Sequence, residues 1–405
     1  MRVAVIGQGY VGLTISIGAL NAGHDVIGVD LSENLVANLQ AGKSHIEGIR
    51  DDEVKSAISS GRFKVTTDYQ EINSYEVIVI AVPTPLGEEG EPDLSILTSA
   101  AESLGKSLKS RKLIINESTS HPGTLRELIK PIVERYSPQS HFYAISPERV
   151  DPGNEKFGTR NTPRVVGGLT PEARDQAVNF YQTFCESVIP VSSAEVAEAA
   201  KIFENTFRFI NIGLVNEFAQ IMLAMGIPVN EVLDAANSKP YGFMKFHPNV
   251  GIGGHCIPVD PIYLQAQAEK LGLPSRFIEL SEEMNQRMPE FVVEKLAKRV
   301  GGLQGKKVQV FGVSYKPNIA DTRETPAAQV LALLKKRGAQ VSWHDPLVSN
   351  WNGESSSPID KSADLGLVLA AHSNLNLSEW GSAPIFSINE SSQNPNWIAL
   401  LNPSK

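Results

Sequence analysis

The run Val3-Ala4-Val5-Ile6-Gly7-Gln8-Gly9-Tyr10-Val11-Gly12 constrains this chain more than any other part of it. Four apolar residues lead into three glycines at the spacing GxGxxG, and a helical pattern follows over residues 11–22. A strand that turns this tightly into a helix opens a βαβ unit, which requires a parallel sheet. Gly7 suits the tight turn, Gly9 the close approach of a pyrophosphate and Gly12 the packing of helix on strand. The following helix aims backbone N–H groups and a positive dipole end at phosphate. Asp30 ends the second strand 18 residues after Gly12, where a carboxylate can bond both ribose hydroxyls. A 2′-phosphate there would meet a like charge, so the expected cofactor is NAD rather than NADP.

Strand-like runs at 3–6, 25–29, 77–81, 113–116 and 142–145 alternate with helical patterns such as 94–108. A strand at 164–167 and a helix at 172–186 extend the series, which predicts a doubly wound, mostly parallel sheet. Thr84 and Thr119 follow two of these strands, at the carboxyl edge where ligands bind; a plain turn role is as open. Residues 194–225 then form one helical run with no proline and a single glycine, Gly213. That is more than twice the mean helix of about 11–12 residues and reads as a bridge between domains. Further helices are expected at 228–236, 261–271 and 289–299, and the Gly-rich stretch 301–305 as a linker. Beyond it, 307–313, 326–337, 340–344 and 365–371 restart an α/β alternation without GxGxxG. Residues 350–358 read as a loop, and the tail after Ser391 is weakly patterned.

A chain of 405 residues exceeds one ordinary core, so two or three domains are expected. A formal charge of −8 argues against nucleic-acid binding, which needs a basic footprint. No apolar run approaches the roughly 18 residues of a membrane span, and no leader is expected before the strand at Arg2. The two cysteines, Cys185 and Cys256, make no disulfide framework and suit a reducing cytoplasm.

Cys185 lies among Phe180, Tyr181 and Phe184, as an inert buried thiol would. Cys256 differs, standing in Gly253-Gly254-His255-Cys256-Ile257-Pro258-Val259-Asp260. Glycines there permit unusual backbone angles and close ligand approach. A nucleophilic thiol joined to a dinucleotide site fits an alcohol oxidation carried past the aldehyde. His255 is a poor base for its neighbour because adjacent side chains often point apart. Asp260 near a thiolate would raise its pKa, so a cation is needed. Lys201, with Asn205 and Arg208 at i, i+4 and i+7 on one helix face, is the candidate, a solvated polar stripe the alternative. Glu148, in Ser146-Pro147-Glu148-Arg149-Val150, follows a strand on the cofactor face and could activate a water; a surface carboxylate is the other reading.

The motifs at 7–12, 82–85, 117–124, 146–154, 201–217, 253–260 and 315–326, in that order, resemble the UDP-glucose/GDP-mannose dehydrogenase family over nearly the full length. The resemblance implies an NAD-binding Rossmann domain over 1–190 and a central helical domain over 191–300 that dimerises through its long helix. A Rossmann-like UDP-sugar domain would occupy 301–405. It further implies two successive oxidations at C6 of a UDP-sugar, with two NAD, one water and no metal. Cys256 matches the nucleophile, Lys201 the lysine that handles the hydroxyl proton, and Asn205 its neighbour. Asp260 matches the carboxylate of that network and Glu148 the base for thioester hydrolysis. Tyr10, Val11, Thr84, Thr119 and Arg323 match cofactor contacts. Arg149, Val150, Arg208, Gly253, Tyr315 and Lys316 are expected at the substrate.

Two departures narrow the substrate. Pro258-Val259-Asp260 stands where UDP-glucose members carry Pro-Lys-Asp, and Pro152 where they carry a second glutamate. Both resemble the branch acting on UDP-N-acetylhexosamines. Pro240-Tyr241-Gly242 replaces the His-Pro-Arg of the N-acetylmannosamine enzymes, and residues 276–280 look closer to those acting on UDP-N-acetylglucosamine. Such products feed surface polysaccharides. A two-electron hydroxyacid dehydrogenase could use the cofactor motif and the helical lysine but would not need Cys256. The carboxyl-terminal domain is slightly short for the family, and its last strands and helices are the least defined part of the reading.

Overall fold

The computed structural model describes residues 1–403 except 47, 152, 155, 390–393, 395 and 396. Contacts divide the chain into two compact units, residues 1–204 with 262–270, and residues 205–261 with 271–405. The helix Ala194–Ala224 contributes to both.

In the first unit eight strands form one sheet. They are β1 (Arg2–Ile6), β2 (Asp25–Val29), β3 (Phe63–Thr66), β4 (Val77–Ile80), β5 (Leu113–Asn116), β6 (Phe142–Ile145), β7 (Arg164–Gly168) and β8 (Val188–Pro190). Their order is β3-β2-β1-β4-β5-β6-β7-β8. Along β1, Val3 and Val5 enter one apolar cluster while Ala4 and Ile6 enter another. Helices therefore cover both faces, and the strands read as continuous apolar runs. The order reverses direction between β1 and β4, the switch point at which such sheets open a ligand crevice. β7 reverses chain direction, pairing antiparallel with β6, and β8 runs parallel to β7.

In the second unit, β9 (Lys307–Phe311), β10 (Gln340–His344), β13 (Leu365–Val368), β14 (Ile385–Ser387) and β15 (Ile398–Ala399) form a parallel sheet ordered β10-β9-β13-β14-β15. A small hairpin, β11 (Asn350–Trp351) with β12 (Glu354–Ser355), stands apart from it. Helices Arg276–Arg299 and Ala327–Lys336 share one core with this sheet, Val292 and Leu296 joining Val308, Val310, Val330 and Leu334. The fold is thus two doubly wound α/β sheets with a helical region between them in the chain.

Several elements differ from expectation for identifiable reasons. The helix expected to begin at Pro289 runs from Arg276 straight through it. Proline removes one helical N–H, but Met288, Val292, Val293 and Leu296 bury on either side and hold the turn. The expected loop at 350–358 contains the hairpin, turned by Asn352 and Gly353 at φ 49° and 77°. Asn-Gly is the dipeptide such two-residue turns prefer. The helix expected to reach Glu186 ends at Tyr181, and the turn after it returns Cys185 to the core. β3, β8 and β15, of two to four residues, had no periodic signature of their own. Leu303, from the expected linker, is buried in the second core. Among the described residues the connections from β13 to β14 and from β14 to β15 carry no α-helix. Nor is any described helix long and apolar enough to cross a membrane.

The three glycines of the first turn have separate geometries. Gly7 sits at φ 86°, and a Cβ there would lie 2.5 Å from the Ala81 carbonyl oxygen. A Cβ on Gly12 would lie 1.8 Å from the carbonyl oxygen of Gly7, whereas one on Gly9 meets nothing within 4 Å. Gly12→Ala is therefore expected to cost at least about 1–3 kcal/mol by overpacking against backbone that cannot move aside. Gly9→Ala should leave the unfolding midpoint unchanged and weaken NAD binding instead. Thermal melts beside NAD titrations check the pair; equal melting losses would refute the assignment.

Candidate active site

The open space over Gly9 adjoins the helix Tyr10–Asn21, whose amino end has no side-chain cap. Uncapped N–H groups beside an uncovered glycine suit a phosphate. Tyr10 begins that helix, and Val11 packs against the core beneath it. Asp30 is held at the end of β2, its Oδ2 accepting the Gln8 amide at 2.8 Å and its Oδ1 the Ser32 amide at 2.9 Å. These features fit NAD. Thr84, buried, and Thr119, half-buried, follow β4 and β5. Between them Ser118, not singled out from sequence, accepts the Val82 amide at 3.0 Å and donates to its carbonyl at 2.8 Å. Gln8, also missed, is fully buried, its amide donating to the carbonyls of Val5 at 3.0 Å and Gly7 at 3.2 Å. Nothing distinguishes it in sequence from a solvent-facing loop glutamine.

Glu148 lies three residues beyond β6 and is far from an idle surface carboxylate. Its Oε1 accepts the backbone amides of Arg149 at 2.7 Å and Val150 at 2.8 Å, and its Oε2 meets Nη2 of Arg164 at 2.5 Å. Arg149 and Val150 thus serve Glu148 through their backbone. The Arg149 side chain forks onto Glu204 at 2.6 and 3.2 Å. Pro152 lies outside the described residues.

The long helix carries Lys201, Asn205 and Arg208 at the expected register, Lys201 half-buried and Arg208 exposed. One turn before Lys201, Glu198 is buried and accepts the amides of Gly123 at 2.6 Å and Leu125 at 3.0 Å. It therefore fastens the helix to the chain that follows Thr119. Burial raises its carboxyl to about 7, against the pull of those two amides. Its signal in sequence was a lone carboxylate on the helix face otherwise filled by Ala194, Ala197 and Ile202.

In the second unit the Asn205 amide donates to Asp260 Oδ2 at 2.6 Å, and both residues are buried. Asp260 opens the helix Asp260–Lys270, where a carboxylate complements the helix dipole. Its amide bonds the Cys256 carbonyl at 2.9 Å, so the exposed Cys256 stands one turn ahead of that amino end. Positive helix ends favour thiolates. Tyr315 explains the preceding glycines. A Cβ on Gly253 would lie 2.7 Å from Tyr315 Cβ and 2.6 Å from the Glu324 carbonyl oxygen. One on Gly254, at φ 87°, would meet the Tyr315 ring at 2.7 Å. The Gly254 amide also bonds the Arg323 carbonyl at 3.0 Å. Cys256 and the segment that carries Tyr315, Lys316 and Arg323 are therefore brought together within this unit.

Arg323 forks onto Asp321 at 2.5 and 3.0 Å, and its charge also interacts with Cys256. Here is a cation for the thiolate that sequence reasoning had sought only in Lys201. Burial, with Arg323 nearby, pushes His255 below the usual imidazole range, so it supplies no positive charge.

Comparison with known proteins gives the family. Residues 1–185, 195–287 and 309–382 match the NAD binding, central and UDP binding domains of the UDP-glucose/GDP-mannose dehydrogenase family. A UDP-N-acetyl-D-glucosamine 6-dehydrogenase of Pseudomonas aeruginosa is 35% identical, over 86% of this chain and 83% of its own length. A UDP-N-acetyl-D-mannosamine dehydrogenase of Methanocaldococcus jannaschii is 37% identical, over 92% and 86%. The solved structure of a UDP-D-ManNAc dehydrogenase from Pyrococcus horikoshii superposes with a TM-score of 0.87 at 30% identity, covering 96% of this chain and 95% of that one.

A carboxyl whose pKa is raised on folding stabilises the protein below its unfolded value and loses that contribution as pH rises through the folded one. The Glu198 contribution should therefore be complete near pH 4.5 and vanish above about 7. Urea midpoints measured from about pH 5 to about pH 8 are expected to fall, and Glu198→Gln to flatten the fall. An unchanged slope in the variant would remove Glu198 from this account.

Proposed function

Because the chain belongs to the UDP-glucose/GDP-mannose dehydrogenase family, as an NAD-dependent nucleotide-sugar dehydrogenase, we propose that it oxidises C6 of UDP-N-acetyl-D-glucosamine to the uronic acid. The observation that carries the reading is the exposed Cys256 on a turn that only glycines can form against Tyr315. NAD, held at Gly7, Gly9, Gly12 and Asp30, supplies the two-electron acceptor chemistry and is used twice.

This chain's residues do the rest. Lys201 takes the hydroxyl proton at C6 and stabilises the oxyanion, with Asp260 and Asn205 holding that network. Cys256 Sγ adds to the C6 aldehyde as a thiohemiacetal, which the second oxidation turns into a thioester. Glu148 takes a proton from water as it attacks the acyl carbon, and the Cys256 thiolate leaves. One alcohol, two NAD and one water are consumed; one carboxylate, two NADH and three protons are formed.

Val259, the Pro152 position and Tyr241 support the N-acetylglucosamine reading by likeness to that branch. Action on UDP-N-acetyl-D-mannosamine is the second reading, favoured by the relative at 37% identity. The working form is read as a cytoplasmic homodimer. On the long helix Val196, Phe203, Phe207, Leu214 and Ile221, and just past its end Met225, are exposed at spacings of seven and four, an apolar seam of the kind a second copy covers.

Cys256→Ser should abolish net turnover while NAD and UDP-sugar binding persist, and wild-type NADH production by that variant would sink the thioester. Glu148→Gln should slow turnover about 10²–10⁴-fold while a sugar adduct accumulates on Cys256, visible in the intact-protein mass. Slow turnover with no adduct would count against that base. For the substrate, kcat/KM is expected to rank UDP-N-acetylglucosamine above UDP-N-acetylmannosamine and UDP-glucose. Leaving the partners of an acetamido group unpaired costs about 1–3 kcal/mol each, enough for tenfold or more. Preference for either rival sugar would replace the assignment.

A further inference from the structure

Arg164 is buried and opens β7. Because β7 runs against β6, with Ala144 opposite Gly168 and Ile145 opposite Gly167, continuing that register by three residues sets Glu148 opposite Arg164. A parallel β7 would have delivered its first residue to the other edge of the sheet. The reversal thus brings a cation to the carboxyl edge, where Glu117 follows the last residue of β5 and Ser146 that of β6.

The guanidinium is held through both of its terminal nitrogens. Nη1 meets Glu117 Oε1 at 3.0 Å and Ser146 Oγ at 3.2 Å, and Nη2 meets Glu148 Oε2 at 2.5 Å. The Tyr181 hydroxyl donates to Glu117 Oε1 at 2.5 Å, and the Tyr181 ring lies 4.6 Å from the guanidinium carbon. A pair kept for stability needs one carboxylate per guanidinium, and the fully buried Glu117 supplies it. The second carboxylate, Glu148, is the one left 11% exposed.

Each carboxylate oxygen accepts in two directions. Oε1 of Glu148 is filled by two backbone amides, so its open acceptor direction is on Oε2, beside Arg164. We infer that Arg164 is the positioning residue of the hydrolytic step, gripping Glu148 by Oε2 and aiming the one open lone pair that takes the proton of the attacking water. Glu117 and Tyr181 hold Arg164 in turn. The inference rests on reading Glu148 as the hydrolytic base.

The test follows NADH release and intact-protein mass after mixing enzyme with NAD and UDP-N-acetylglucosamine, or whichever UDP-N-acetylhexosamine is turned over. NAD affinity is measured on every variant. Arg164→Lys is expected to keep the initial burst of NADH, to build adduct on Cys256 and to turn over about 10²–10⁴-fold more slowly, as Glu148→Gln does. Combined with Glu148→Gln it should add little further loss, since both act on one step. Should Arg164→Lys fail to bind NAD, the double variant Glu117→Gln with Arg164→Gln leaves no unpaired charge in the Glu117 pocket and should still build adduct. Burst and adduct lost together in a variant that binds NAD, or losses that multiply in the combined variant, overturn the positioning role. Absence of adduct in Glu148→Gln alone overturns the reading of the base itself, whatever Arg164 does.

Discussion

A Cβ on Gly12 would lie 1.8 Å from the Gly7 carbonyl oxygen, so the first helix and the first strand approach more closely than any side chain allows. The second unit repeats the device where Gly253 and Gly254 lie against Tyr315 and the Glu324 carbonyl. In both places backbone meets backbone or ring without an intervening side chain. Such surfaces can approach a ligand closely. The nucleotide turn and the Cys256 turn are therefore products of one constraint, each within its own unit.

Burial of charge is the second organising term. Bringing a guanidinium or carboxylate out of water costs several kcal/mol per ion after relaxation, and is tolerated only with close partners. Arg164 has Glu117, Glu148, Ser146 and Tyr181; Glu198 has two backbone amides. Burial pushes the Glu117 carboxyl up to about 7, against the pull of Arg164. Perturbed groups of this kind gather at functional sites. Here they lie just beyond the carboxyl end of β5 and on the helix turn before Lys201.

Much of the fold was legible because parallel strands buried on both faces must be apolar throughout. β1, β2, β4 and β5 stand out as runs rich in Val and Ile for that reason, and β6 as an apolar run of other residues. β3, β8 and β15 are too short to show a period, and Pro289 masked a helix that packing on both sides of it sustains. The Asn352-Gly353 turn was readable and lay hidden only because its strands are two residues each.

Spacing alone determined the glycine turn with Asp30, the polar register of Lys201, Asn205 and Arg208, and the singular setting of Cys256, because each depends on neighbours close in the chain. Contacts between distant segments were decided only in three dimensions. Arg164 and Glu148 are 16 residues apart and meet because β7 reverses. Asn205 and Asp260 are 55 apart, and Glu198 is 75 from Gly123. No local pattern announces which buried charge will find which partner. That choice belongs to strand order and direction, set by burying apolar area across the whole sheet, and the polar groups pair where that packing leaves them.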